Sequence, residues 1–193
     1  MRDVLFVQGA GSNVHADWDI HLVDSLRREL GPQFNVLYPR MPNEAEPTLD
    51  NWRPVLEQEL AALRPGAVAV GHSVGATILL NALANAAPAR ALGAIILIAA
   101  PFMGAGGWSS ADGPDSAGDA KRLPGTVPVF LYHGEEDAVV PVDHVTRYAE
   151  TMPSAHVRRL VGRDHQLNND LSEVASDIRD LAATMSTRAT PRE

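Results

Sequence analysis

Cysteine is absent from the 193 residues, and lysine occurs once, as Lys121. The first absence excludes disulfides, thiolate-held metals and a cysteine nucleophile. The second argues against Schiff-base chemistry. A catalytic lysine needs desolvation to lower its pKa, and Lys121 stands in a polar Gly/Asp/Ser-rich stretch. Basic residues are outnumbered by acidic ones, 16 against 24, for a net charge of −8. A field of that sign repels phosphate, so nucleic acid is not an expected partner. No apolar run reaches the length of a bilayer span, so no membrane partner is expected either. The chain begins Met1-Arg2-Asp3-Val4 and passes straight into a short apolar run and Gly9-Ala10-Gly11, unlike a secretory leader. A cytoplasmic location is the expectation.

What is present reads as an ordinary globular chain, 45% hydrophobic and 21% charged. The length suits one domain, expected over 1–185, with 186–193 as a frayed tail. Short apolar runs occur at Val4–Val7, Phe34–Leu37, Ala67–Val70, Ala94–Ala99 and Val127–Tyr132, with a weaker one at His156–Val161. Runs of this length, several rich in β-branched residues, are how strands buried on both faces look. Helical periods fall between them. One is Ile20, Val23, Leu26, Leu30; another is Trp52, Leu56, Leu60, Leu63, expected to begin near Asn51 so that Pro54 lies in the tolerant first turn. A third runs from Val74 to about Ala87 and stops at Pro88; a fourth begins near Pro141-Val142. The last carries Leu171, Val174, Ile178, Leu181 and Met185. Strand–helix alternation throughout predicts a parallel sheet with helices on both faces. Residues 101–126 are Gly-, Ser- and Asp-rich and too long for a plain connection, with room for a flap and not for a domain.

The strongest chemical signal is Gly71-His72-Ser73-Val74-Gly75, between a predicted strand and a predicted helix. Gly-x-Ser-x-Gly in that context is a nucleophile elbow. The turn is tight enough to strain the serine backbone and to require small residues two positions either side. In return the hydroxyl stands at a helix N-terminus, whose dipole favours developing negative charge. A serine hydroxyl needs a base, and the base needs an orienting acid, in the chain order acid then histidine. Glu135-Glu136-Asp137 follows the fifth strand; Asp137 is the first choice and Glu136 the alternative. His165 lies between the last strand and the last helix, at the edge where the base must be. For the oxyanion, the Val74 and Ala10 N–H groups are the candidate donors, Ala10 lying in the loop after the first strand. Gly9, Gly11, His72 and Trp108 are candidate substrate contacts.

Two rivals are weaker. Gly9-Ala10-Gly11 lacks the third glycine of a dinucleotide fingerprint, since position 14 is Val, and the strand ending near Tyr38 lacks an acidic ribose ligand. No cofactor is expected. His15, Asp17 and His21 are close in sequence without a metal-binding spacing, so no metal is expected; they read as pocket rim or helix cap.

Taken together, the Gly71–Gly75, Gly134–Pro141 and Asp164-His165 blocks resemble the small α/β-hydrolases. Gly9–Trp18, Met41-Pro42-Asn43, Pro47 and Trp52 are similar to the retinoblastoma-binding-type serine hydrolases within them. Gln8 departs from the His often found before the oxyanion-hole glycine. The resemblance implies a three-layer α/β-hydrolase fold, a mostly parallel six-stranded sheet of order 2-1-3-4-5-6 and no large cap domain. It implies an open site acting on small acyl esters, with thioesters and amides open to the same machinery. Because some relatives are known mainly for partner binding, it also leaves a protein-interaction role as the alternative.

Overall fold

The computed structural model describes residues 1–85, 92–109 and 114–188. Six strands form one sheet: β1 (Arg2–Val7), β2 (Phe34–Leu37), β3 (Val68–His72), β4 (Ala94–Ile98), β5 (Val129–Gly134) and β6 (His156–Leu160). Their order is β2-β1-β3-β4-β5-β6, and every neighbouring pair is parallel. Helices α1 (Asp19–Leu30), α2 (Leu49–Ala62), α3 (Ser73–Asn85), α4 (Ser116–Arg122), α5 (Asp143–Thr151) and α6 (Ser172–Arg188) complete it.

Strand side chains alternate between the two faces, which divides the core. Val4, Phe6, Val68, Val70, Ile96 and Ile98 meet Leu22 and Leu26 of α1 and Val174 and Ile178 of α6. Leu5, Val7 and Ala69 face the other way, toward Trp52 and Leu56 of α2 and Leu79 of α3. Ile95, Leu97 and Leu131 complete that second face with Val145 and Tyr148 of α5. This is the three-layer α/β-hydrolase arrangement, with no large cap among the described residues. Edge strand β6 explains its weak apolar signal: His156, Arg158 and Arg159 are exposed.

Three local readings change. The strands β3 and β5 extend two residues further, through His72 and through Gly134. Helix α2 starts at Leu49, so Pro54 is not in the first turn. The earlier start comes from Thr48, whose hydroxyl accepts the Asn51 N–H at 3.2 Å. Pro54 leaves the Asp50 carbonyl without its helical donor, at an exposed residue where water can serve. We expect Thr48→Ala to cost about 1 kcal/mol, read as a melting temperature roughly 3 °C lower. Finally, the 101–126 segment, read as irregular, contains a helix. Its residues Ser116–Arg122 form α4, with Ser116, Asp119 and Ala120 buried. Asn81 of α3 donates to Asp119 at 2.9 Å, and Ser116 bonds the Tyr148 hydroxyl of α5 at 2.9 Å.

The expected end of the third helix, at Ala87 and Pro88, lies outside the described residues, as do 189–193. Helix α6 runs to Arg188, into the stretch expected as tail. Among the described residues no helix is long and apolar enough to cross a membrane.

Candidate active site

The chain leaves β1 for one side of the sheet and returns at β3 to build the other. The crevice at that reversal lies outside the carboxyl ends of β1 and β3. The loop after β1 and Ser73 after β3 both stand there. Ser73 has φ 52°, in the left-handed region, as the tight elbow demands. A Cβ on Gly71 would lie 2.5 Å from the Ala76 Cα, and one on Gly75 1.9 Å from the Gln8 carbonyl oxygen. Both approaches are backbone against backbone, so only glycine lets helix α3 turn back this closely.

The loops after β5 and β6 bring the other two groups to Ser73. His165 Nε2 lies 3.1 Å from Ser73 Oγ, and His165 Nδ1 lies 2.8 Å from Asp137 Oδ2. With Nδ1 protonated, Nε2 is free to accept the serine proton. Asp137 is the acid in contact; Glu136 instead lines a surface recess beside His165. Asp137 Oδ1 accepts the Val139 and Val140 N–H groups at 2.8 Å each, and Oδ2 also lies 3.3 Å from His133 Nε2. Burial opposes the Asp137 charge, but these donors outweigh it and hold the carboxyl well below the usual carboxylate range. His133 Nε2 is itself fixed by the Val140 carbonyl at 2.8 Å.

The Ala10 N–H lies between two occupied neighbours. Gly9 N–H donates to Asp19 Oδ2 at 2.7 Å, and Gly11 N–H donates to the Glu44 carbonyl at 2.7 Å. The N–H groups of both candidate substrate-contact glycines therefore hold the loop in shape. Ala10 N–H has no partner among the described residues. Val74 N–H is in the first turn of α3, where N–H groups lack intrahelical acceptors.

His72 is not a substrate contact. Its side chain is 1% exposed and both ring nitrogens are engaged inside the protein. Nδ1 meets Asp19 Oδ2 at 3.0 Å, and Nε2 meets the His165 carbonyl at 3.1 Å. Two acceptors facing two ring nitrogens are both satisfied only when both nitrogens carry hydrogen, so the site favours the imidazolium form of His72. Burial pulls its pKa down, but Asp19, the His165 carbonyl and Asp137 pull it net above the ordinary histidine value. Burial likewise works against the Asp19 charge. The His72 ring, the Gly9 N–H and the Gln166 amide, 3.2 Å from Oδ1, outweigh it and lower the Asp19 pKa. This buried pair joins the loop after β1, the elbow and the base loop.

Sequence reasoning missed Asp19, although a signal existed. It shares the inward face of α1 with Leu22, Val23 and Leu26, where an acid is out of place unless paired. His15, once grouped with Asp17 and His21, stacks on Tyr38 with ring centroids 4.0 Å apart. Trp108 stands edge-on to His144 of α5 at 5.6 Å and is 36% exposed, a partner of α5 packing.

The profile of the family described as Serine hydrolase matches residues 4–170. The chain belongs to the serine hydrolase family. No curated protein matches it. Among solved structures, this serine hydrolase is similar to the ydeN gene product from B. subtilis at 18% identity and TM-score 0.71, covering 95% of this chain and 100% of that one. It is similar to Arabidopsis thaliana SOBER1 at 16% identity and TM-score 0.67, covering 94% and 99%. The esterase domain of a Rhodothermus marinus protein aligns at 16% identity and TM-score 0.66, covering 97% and 87%. At these identities the likenesses establish the α/β-hydrolase fold.

Proposed function

We propose that this serine hydrolase cleaves small carboxylic esters through an acyl-enzyme on Ser73. The observation that carries the reading is the His165 ring, 3.1 Å from the Ser73 hydroxyl on one side and 2.8 Å from Asp137 on the other. His165 Nε2 removes the Ser73 proton as Oγ attacks the ester carbonyl. Asp137 keeps the tautomer and stabilises the imidazolium that forms. The resulting oxyanion is held by Ala10 and Val74 N–H, each donor lowering the barrier by on the order of 3 kcal/mol. His165 then returns its proton to the leaving alcohol, and water repeats the sequence in reverse to free the acid. The esterase description of a structural neighbour weighs toward esters as the acyl donors.

Two measurements test this together. A fluorophosphonate should add one phosphonyl group to the folded protein, located by peptide mass spectrometry on Ser73. A p-nitrophenyl ester should release p-nitrophenol in a burst followed by a slower steady rate when deacylation limits turnover. Folded protein that neither reacts with the phosphonate nor hydrolyses short esters would leave a binding protein on a hydrolase scaffold as the better account.

A further inference from the structure

We propose that the apolar recess on the outer side of His165 seats the leaving alcohol of the ester and favours an alcohol that carries a positive charge. The inference rests on the esterase reading above and adds the class of substrate. It starts from a requirement of the chemistry: the proton taken from Ser73 must be handed from His165 to the leaving oxygen. The alcohol therefore departs on the His165 side of the scissile bond.

A recess of about 410 Å³ lies on that side, with His165 in its wall. Its apolar surface comes from two places. The π-helical turn Val14–Trp18 contributes Val14 and Trp18 to its lining. The turn after β5 adds Ala138 and Val139. Trp18 is 58% exposed and Val139 56%, two of the few large apolar side chains left open to water. An exposed indole and valine flanking a general base are better explained by a ligand that covers them than by packing within the fold.

The polar part of the recess is one-signed. Glu136 and Asp164 are exposed acids in its lining, and among the described residues no lysine or arginine lines it. The Glu136 side chain has no partner among the described residues; its backbone N–H is held by the Arg163 carbonyl. Asp164, also in the lining, accepts the Gln166 and Asn168 N–H groups at Oδ1, and its Oδ2 has no partner among the described residues. The nearest cation in sequence, Arg163, is turned away into Asp170 and Glu173 at 2.8 and 3.0 Å. The Gln166 amide nitrogen is held by Asp19. An aromatic face beside two unneutralised carboxylates attracts an alkylammonium group and repels a carboxylate or phosphate.

The experiment compares three acetate esters of meta-substituted phenols bearing trimethylammonium, tert-butyl or carboxylate groups. Each kcat/KM is divided by the same ester's hydroxide-catalysed rate, which removes differences in leaving-group acidity. The order expected is cation, neutral, anion, with roughly a 30-fold span at low salt that narrows several-fold near 0.5 M NaCl. Glu136→Gln should compress the span and Glu136→Lys should reverse the order of cation and anion. Trp18→Ala should reduce kcat/KM for the cationic ester by roughly 10-fold, more than for the anionic one. A flat series, an anion preference, or a span unmoved by Glu136→Lys overturns the proposal. Fluorophosphonate labelling of Ser73 is run on the same samples. Labelling with a flat charge series overturns this proposal alone; no labelling and no turnover of any ester overturns the esterase reading with it.

Discussion

Replacing Ser73 by alanine should lower kcat for a p-nitrophenyl ester by about a millionfold while leaving the melting temperature nearly unchanged. The stability half follows from the site. Ser73 already has its strained φ of 52° fixed by the Gly71 and Gly75 contacts, and alanine fits the same space. The activity half follows from the relay, because without Oγ there is no covalent intermediate and His165 has nothing to activate. His165→Ala should cost about as much, and the double variant no more than either single one, since groups that act as a unit do not contribute additively. Asp137→Asn should lose about ten-thousandfold, by holding His165 in the wrong tautomer. With its oxygen kept on the Val139 and Val140 N–H groups, the asparagine turns its NH2 toward His165 and His133, so its melting temperature should fall as well. Steady-state kinetics over enzyme concentrations high enough to detect residual turnover measure all four, with wild-type active sites counted by fluorophosphonate titration. Ser73→Ala retaining more than about a thousandth of wild-type turnover would remove Ser73 from the mechanism.

The places of the strands along the chain were legible because their middles are apolar and their flanks are not; their order in the sheet followed from the family resemblance. Their ends were not legible, and the ends are where the chemistry stands. Gly71-His72 and His133-Gly134 break the apolar pattern, yet both stay in register with β4 and β6. His72 and His133 are tolerated there because Asp19 and Val140 supply partners from elsewhere in the chain. Ser73, Asp137 and His165 could be chosen by chain order, since each follows a strand and the carboxyl ends of parallel strands share one edge. The Asp19–His72 pair could not, since the two residues are separated by 53 positions and nothing local requires them to meet. Helix α4 escaped for another reason: seven residues containing glycine give too short a period to recognise, and its stability comes from burial against Asn81 and Tyr148.

Asp19→Asn should be the most destabilising conservative change in the site, by about 3–5 kcal/mol. The carboxylate is fully buried and accepts three hydrogen bonds, from Gly9 N–H, His72 and Gln166. An asparagine turns an NH2 group toward one of these donors and leaves the His72 imidazolium without a counter-charge. Such a loss should appear as a melting temperature roughly 10 °C lower. Its pH dependence separates a broken charge pair from a mere packing fault. The His72 pKa is raised in the folded protein, so the pair's contribution is complete below about 6.5 and fades as pH rises through the higher folded value. The Asp19 pKa is lowered, so its share is complete above the ordinary carboxylate value of 3.8 and fades as pH falls through the folded value. The gap between wild type and Asp19→Asn should therefore be widest in mildly acidic solution and close as the pH rises above about 6.5, as followed by thermal melts from about pH 4 to about pH 9. A gap constant across that range would mean that the pair carries no charge. Activity should fall too, on the order of a hundredfold and in kcat more than KM, because Gly9 sits beside the Ala10 donor and the His165 carbonyl rests on His72. A variant with intact kcat would confine the pair to stability and detach it from the geometry of His165.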